Sequence, residues 1–175
     1  MTGRSRAFWA GNRYPDEAGE PKRSAPLRDL PPLPAARFRA LRSGLLALDG
    51  VVENVRFMGA TWRWAWEYGI GTRKVCWIHF IRDQVSATFT LSEHEEQRLR
   101  QGPRLASQLV QCLEEGQRTG PVRWCWLELT DRRSVDSFLT LARRKAAWLA
   151  ERFAPHRVAR VRGRSLPADD EVDSE

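Results

Sequence analysis

Cysteine is scarce and unpaired in this sequence: Cys76, Cys112 and Cys125 are an odd number with no close pair. A disulfide scaffold is thereby excluded, and a secreted setting is disfavoured. No apolar run approaches the roughly 18 residues that a membrane-spanning helix needs. The polar, Arg-containing start does not resemble a secretory signal. A cytoplasmic protein without a membrane partner is therefore expected. The three histidines, His79, His94 and His156, have no metal-ligand spacing, and neither C-x-x-C nor H-E-x-x-H occurs. There is no glycine-rich phosphate loop and no G-x-S-x-G. Cys76 and His79 stand three apart on a strand pattern, so they point to opposite faces and form no thiol–imidazole pair. No catalytic residue, metal or cofactor is expected, and a non-enzymatic role is preferred.

Lysine is the other rarity. Of 29 basic residues only Lys22, Lys74 and Lys145 are lysine, and 26 are arginine. Arginine is the default surface cation here, so a position that keeps lysine uses a compact ammonium rather than a planar guanidinium. The net charge of +7 and pI near 10.1 invite a nucleic-acid reading, but the distribution weakens it. Residues 1–50 carry +4, residues 51–150 carry +4 and residues 151–175 carry −1. The cluster Arg157, Arg160, Arg162 and Arg164 is followed at once by an acidic run from Asp169 to Glu175, which can neutralise it. Nucleic acid is not expected as a partner.

Hydrophobic residues make up 42% and charged residues 29% of 175, the balance of one globular domain. Residues 1–30 mix Gly, Pro, Ser and charge without apolar periodicity and read as a mobile arm. A single α+β domain is expected over 31–153, and residues 154–175 read as a flexible basic-then-acidic tail. Phe38, Leu41, Leu45 and Leu48 recur at helical spacing, predicting a helix from about Pro34 to Leu48. Val51 to Phe57 is a short strand or an extended lead-in. From Trp62 to Tyr68 the alternation is strict, with Trp62, Trp64, Trp66 and Tyr68 on one face and Arg63, Ala65 and Glu67 on the other. Two further strands, Val75–Ile81 and Val85–Leu91, complete an antiparallel meander. Ser92-Glu93-His94-Glu95 is a capping box that starts a helix. Another helix ends near Gly116, a fourth strand covers Val122 to Thr130, and a last helix runs from about Arg132 to Phe153. The fold class is therefore α+β. One antiparallel sheet of four to five strands, a meander plus one later strand, packs with N-terminal, middle and C-terminal helices.

Gly59-Ala60-Thr61-Trp62-Arg63-Trp64-Ala65-Trp66-Glu67-Tyr68, followed by Arg73-Lys74-Val75-Cys76, resembles the core signature of the domain of unknown function 3788 family. Gly120-Pro121-Val122-Arg123-Trp124 and the helix segment Leu141-Ala142-Arg143-Arg144-Lys145 fit the same pattern, and the resemblance covers residues 34–146. It implies a compact bacterial, cytoplasmic α+β domain and no particular activity. Glu67 stands where the family pattern usually has a basic residue. Lys74 and Lys145 fall on family lysine positions, which together with the scarcity of lysine suggests a small cationic site.

The aromatic residues Trp62, Trp64, Trp66, Tyr68, Trp124 and Trp126 belong either to the core or to a ligand groove or dimer surface. The favoured expectation is a non-enzymatic small-molecule-binding protein. Its pocket is lined by Trp64, Trp66, Tyr68 and Trp124, with Lys74 or Lys145 at the mouth, and it takes an aromatic or anionic ligand. A homodimer through the aromatic face is the first alternative, and single-stranded nucleic-acid binding by stacking is the second. Lys74 and Lys145 are expected close together at one sheet edge, with Glu67 or a ligand carboxylate between them. For Glu67 itself, near Arg63, a surface ion pair is expected.

Overall fold

The computed structural model describes residues 4–151. The tail expected over 154–175, with its arginine cluster and acidic run, lies outside the described residues.

The chain opens with two short helices, α1 (Arg6–Ala10) and α2 (Ala25–Asp29), and a longer one, α3 (Pro32–Leu46). Strand β1 (Val52–Phe57) and a single helical turn, α4 (Gly59–Trp62), lead into the meander of β2 (Trp64–Ile70), β3 (Arg73–Ile81) and β4 (Gln84–Ser92). Then come α5 (Glu93–Gln101), α6 (Ser107–Glu115), β5 (Gln117–Thr119), β6 (Val122–Glu128) and α7 (Arg132–Glu151). The six strands form one antiparallel sheet in the order β1-β2-β3-β4-β6-β5. The α+β class and the antiparallel meander are as expected. The strand count is higher, because Val52–Phe57 pairs fully with β2 and because a three-residue strand folds back on β6. Three residues are too few to carry an alternation.

Register fixes two faces. Trp66 lies opposite Ile78, Tyr68 opposite Cys76 and Phe89 opposite Cys125, so these side chains share the face on which α3 and α7 pack. Phe38, Leu41 and Leu45 of α3 and Val135, Phe138, Leu141, Ala142, Ala146 and Leu149 of α7 complete that core. Helix α3 approaches α7 at Gly44, where a Cβ would sit 2.6 Å from Leu139 Cδ1. A methyl there would force Leu139 to shift, so glycine is favoured by space, not by backbone conformation.

The other face carries Glu67, Trp77, His79, Ser86, Thr88, Trp124 and Trp126. The N-terminal segment covers part of it, and this corrects the expectation of a mobile arm. Trp9 is 1% exposed and packs with Ile81 and Trp126, with Phe8, Trp62 and Trp124 around them. The Asn12 amide donates to the Trp62 and Trp64 carbonyls. Past Asn12 the segment reaches the helix-covered face, where Tyr14 packs on Trp66 and Phe80. Two tryptophans hold it there: Trp64 Nε1 donates to the Asp16 carbonyl at 2.6 Å and Trp66 Nε1 to the Arg23 carbonyl at 2.9 Å. The segment looked unpatterned because its anchors are single aromatic residues and backbone carbonyls, which leave no period in a sequence.

Trp62 is a second correction. It belongs to α4, not to the strand, and Arg63 at φ 61° breaks the chain between them. The break sends Trp62 to the second face, where it stacks on Trp9 and meets Trp124 edge-on.

Candidate functional site

A cavity of about 380 Å³ opens where the start of β3, the ends of β4 and α7 and the starts of α5 and β6 come together. The sequence builds it from local rules. Gly69 sits at a register shift between β2 and β3, and a Cβ on it would lie 2.5 Å from the Arg73 carbonyl oxygen, so only glycine permits this close approach. Beside that bulge, Lys74 reaches back to Glu67 of β2. At the other side the capping box forms as expected: Ser92 Oγ accepts from the Glu95 amide at 3.3 Å, and Glu95 Oε2 accepts from the Ser92 amide at 2.7 Å. The box fixes the first turn of α5 and aims Oε1 of Glu95 at α7.

Lys74 and Lys145 both line this cavity, with Arg73, Trp77, Thr90, Ser92, His94, Glu95, Arg98 and Trp148. The expectation that these two lysines meet at one site is met to that extent. Glu67 does not bridge them, contrary to expectation. Each ammonium has its own carboxylate: Lys74 Nζ donates to Glu67 Oε1 at 2.7 Å, and Lys145 Nζ donates to Glu95 Oε1 at 3.2 Å and to the Thr90 carbonyl. Nor is Glu67 in a surface pair near Arg63. It is 3% exposed, accepts a hydrogen bond from Trp77 Nε1 at 3.0 Å, and has Arg56 at 3.6 Å.

Lys145 is buried, and burial pushes its amine below the ordinary lysine value while Glu95 pulls the other way. Burial alone would raise Glu95, but Lys145 and the Ser92 amide and hydroxyl outweigh it and hold the carboxyl below its ordinary value. Arg98 closes the outer wall. It binds Glu151 through two nitrogens at 2.7 and 3.2 Å and lies 5.0 Å from the Trp148 ring centroid.

The tryptophans expected around the pocket are elsewhere. Trp66 and Tyr68 are fully buried against the helices, Trp64 is 7% exposed, and both indoles spend their N–H on the N-terminal segment. Tyr68 Oη donates to Glu53 Oε2 at 2.7 Å, and Arg42 clamps the same carboxylate at 2.7 and 2.9 Å. Trp124 lies on the opposite face of the sheet from these three, stacked on Trp77 at 5.6 Å. A six-residue pocket of Trp64, Trp66, Tyr68, Lys74, Trp124 and Lys145 therefore does not form; only the lysines share a cavity. Its aromatic residues are Trp77 and Trp148, neither of which belongs to the expected pocket. Trp77 was visible as the one indole on the central strand. Trp148 was hidden in a helical pattern that assigned it no partner.

The second face holds a further group. Six of the eight buried side-chain polar atoms without a hydrogen-bond partner among the described residues belong to Trp9, His79, Ser86, Thr88 and Trp126. Burial pushes His79 down to about 3, opposed by the nearby Trp64 carbonyl, which stays outside hydrogen-bond geometry. The imidazole is neutral across the physiological range. The three cysteines are buried free thiols, and burial raises Cys76 well above its ordinary value.

No protein-family model matches the chain, and no curated protein matches it either. Among the described residues, no helix is long and apolar enough to cross a membrane.

Proposed function

We propose that the protein binds a small anionic molecule in the cavity between Lys74 and Lys145, with Trp77 and Trp148 as its aromatic walls. The observation that carries this is the placement of two of the chain's three lysines on one cavity. A volume of about 380 Å³ falls within the ordinary range of ligand pockets, roughly 300–1,000 Å³. Arg73 and Lys74 supply cationic donors at its mouth, and an aromatic ring on the ligand could lie against an indole. Binding of this kind needs no catalytic group. A homodimer through the aromatic face loses its support, because Trp64, Trp66 and Tyr68 are covered by the chain's own helices and N-terminal segment. Stacking of single-stranded nucleic acid loses support for the same reason.

Tryptophan fluorescence titration with a panel of small carboxylates and phosphates tests the reading. At least one member quenches saturably, and Lys74→Met weakens that ligand about tenfold or more, as loss of one charge-assisted contact requires. If no anion in the panel gives a saturable change, or if Lys74→Met leaves the affinity of every binder intact, the cavity is not the site.

A further inference from the structure

We propose that Lys145 reacts as a primary amine, forming an imine with a small alpha-keto acid whose carboxylate lies against Lys74 and Arg73. This rests on the binding role proposed above and names its ligand class.

The choice of residue is the first support. A guanidinium is never deprotonated in a protein and cannot act as a nucleophile, whereas a buried lysine can. This chain uses arginine for 26 of its 29 cations, yet it places lysine at the one buried cationic position on the cavity wall. A purely structural partner for Glu95 would need only a positive charge.

Geometry is the second. Lys145 is 3% exposed and enters from α7 with its Nζ held by the Thr90 carbonyl and Glu95 Oε1. An ammonium has three N–H groups. Two are taken by the protein, so one N–H is left for a ligand in the cavity that Lys145 lines. Glu95 is itself fixed through its other oxygen by the Ser92 amide, so the proton acceptor beside the amine is anchored independently of any ligand. Lys74 makes a control within the same cavity: it is half-buried and already committed to Glu67 at 2.7 Å.

Environment is the third. Burial in the cavity wall depresses the Lys145 amine, which raises its neutral fraction, and desolvated lysines are the ones that form imines with carbonyl compounds.

The step balances without an oxidant or reductant. Glu95 takes one ammonium proton, the freed Nζ lone pair bonds to the carbonyl carbon, and the C=O π pair moves to oxygen. That oxygen receives the proton back from Glu95, giving a carbinolamine. A second nitrogen proton passes through Glu95 to the hydroxyl, which leaves as water. One ammonium and one ketone thus become one protonated imine and one water, and Glu95 ends as it began.

The test is reductive trapping of the full chain with pyruvate and sodium cyanoborohydride, followed by peptide mapping. With only three lysines, assignment is direct. Lys145 acquires a carboxyethyl adduct while Lys22 and Lys74 in the same sample stay unmodified. Lys145→Arg, checked by its thermal transition, acquires none. Glu95→Gln keeps the capping geometry but neither holds a charge beside the amine nor takes a proton, so its adduct still forms on Lys145 with a changed rate and with the pH dependence of the rate shifted to lower pH. No adduct, an adduct spread over the three lysines, or an unchanged rate or pH dependence in Glu95→Gln overturns the proposal. Saturable quenching of tryptophan fluorescence by pyruvate, in a sample that yields no adduct, ends the imine and keeps the binding role. Absence of both ends both.

Discussion

His79 shows how one side chain on an otherwise well-packed sheet can govern the response to acid. Its pKa falls from 6.5 to about 3, first because burial penalises the imidazolium. The unfolded chain binds a proton below 6.5 and the folded chain does not, so stability is complete above 6.5 and is lost as the pH falls toward 3. A depression of that size corresponds to a loss on the order of 5 kcal/mol at the bottom of the window. Urea unfolding of the wild type at neutral pH and at about pH 4 shows about 3 kcal/mol of it, and His79→Leu removes that difference. Because neither ring nitrogen has a partner among the described residues, the leucine variant is at least as stable at neutral pH. A wild type equally stable at both pH values would contradict this account. The Glu53 cluster shows a different dependence, on partners that satisfy a buried charge. Glu53 is 3% exposed and depends on Arg42 and Tyr68. Arg42→Ala strands a buried carboxylate and costs about 3 kcal/mol, read as a lower urea midpoint at neutral pH.

Among the elements, the N-terminal segment and the pair α3–α7 are the informative ones. Trp9 lies on a helix of five residues that could not persist alone, so its burial holds the helix rather than the reverse. Trp9→Ala therefore costs about 3–5 kcal/mol and turns the segment from protease-resistant to readily cleaved between residues 4 and 30. A variant as stable and as resistant as the wild type would restore the picture of a mobile arm. At the α3–α7 contact, Gly44→Ala drives a methyl into Leu139, only 2.6 Å away. The clash costs about 1–3 kcal/mol. Combining it with Leu139→Ala makes room, so the double variant is more stable than the sum of the single changes predicts. Additive losses would mean that the helices move apart freely.

For the whole molecule, the cavity and the sheet are coupled through stability. A ligand that binds only the folded chain adds about 2.7 kcal/mol at a hundredfold excess over Kd, and for a domain of this size that raises Tm by roughly 5–10 °C. Differential scanning fluorimetry with the anion panel reads this directly. In Lys74→Met the stabilisation falls to about 1.4 kcal/mol or less, half the rise or smaller, if the cavity is the site, and the full rise persists if the ligand binds elsewhere. The net charge of +7 attracts anions to any part of the surface, so a shift that vanishes with added salt in wild type and variant alike reflects that general field, not the cavity.

Much of the architecture was legible because it follows from short-range periods. Alternation named three meander strands, the 3.6-residue period named α3 and α7, and Ser92 with Glu95 announced the start of α5 by local hydrogen bonding alone. The scarcity of lysine singles out Lys74 and Lys145 in the sequence itself. Register and chain crossing settled the rest, and neither is periodic. The twist of the chain at Arg63 put Trp62 on the far side of the sheet, and the pairing of Thr90 with Trp124 put that indole on the same side. A regular alternation therefore grouped side chains that the sheet keeps apart. Trp148 and Arg98 joined the cavity only because α7 crosses back over α5, bringing together residues about 50 positions apart in sequence. Residue spacing decided which side chains share a face of their own element; the tertiary structure alone decided which faces meet, because contacts between distant elements depend on packing that no local pattern records.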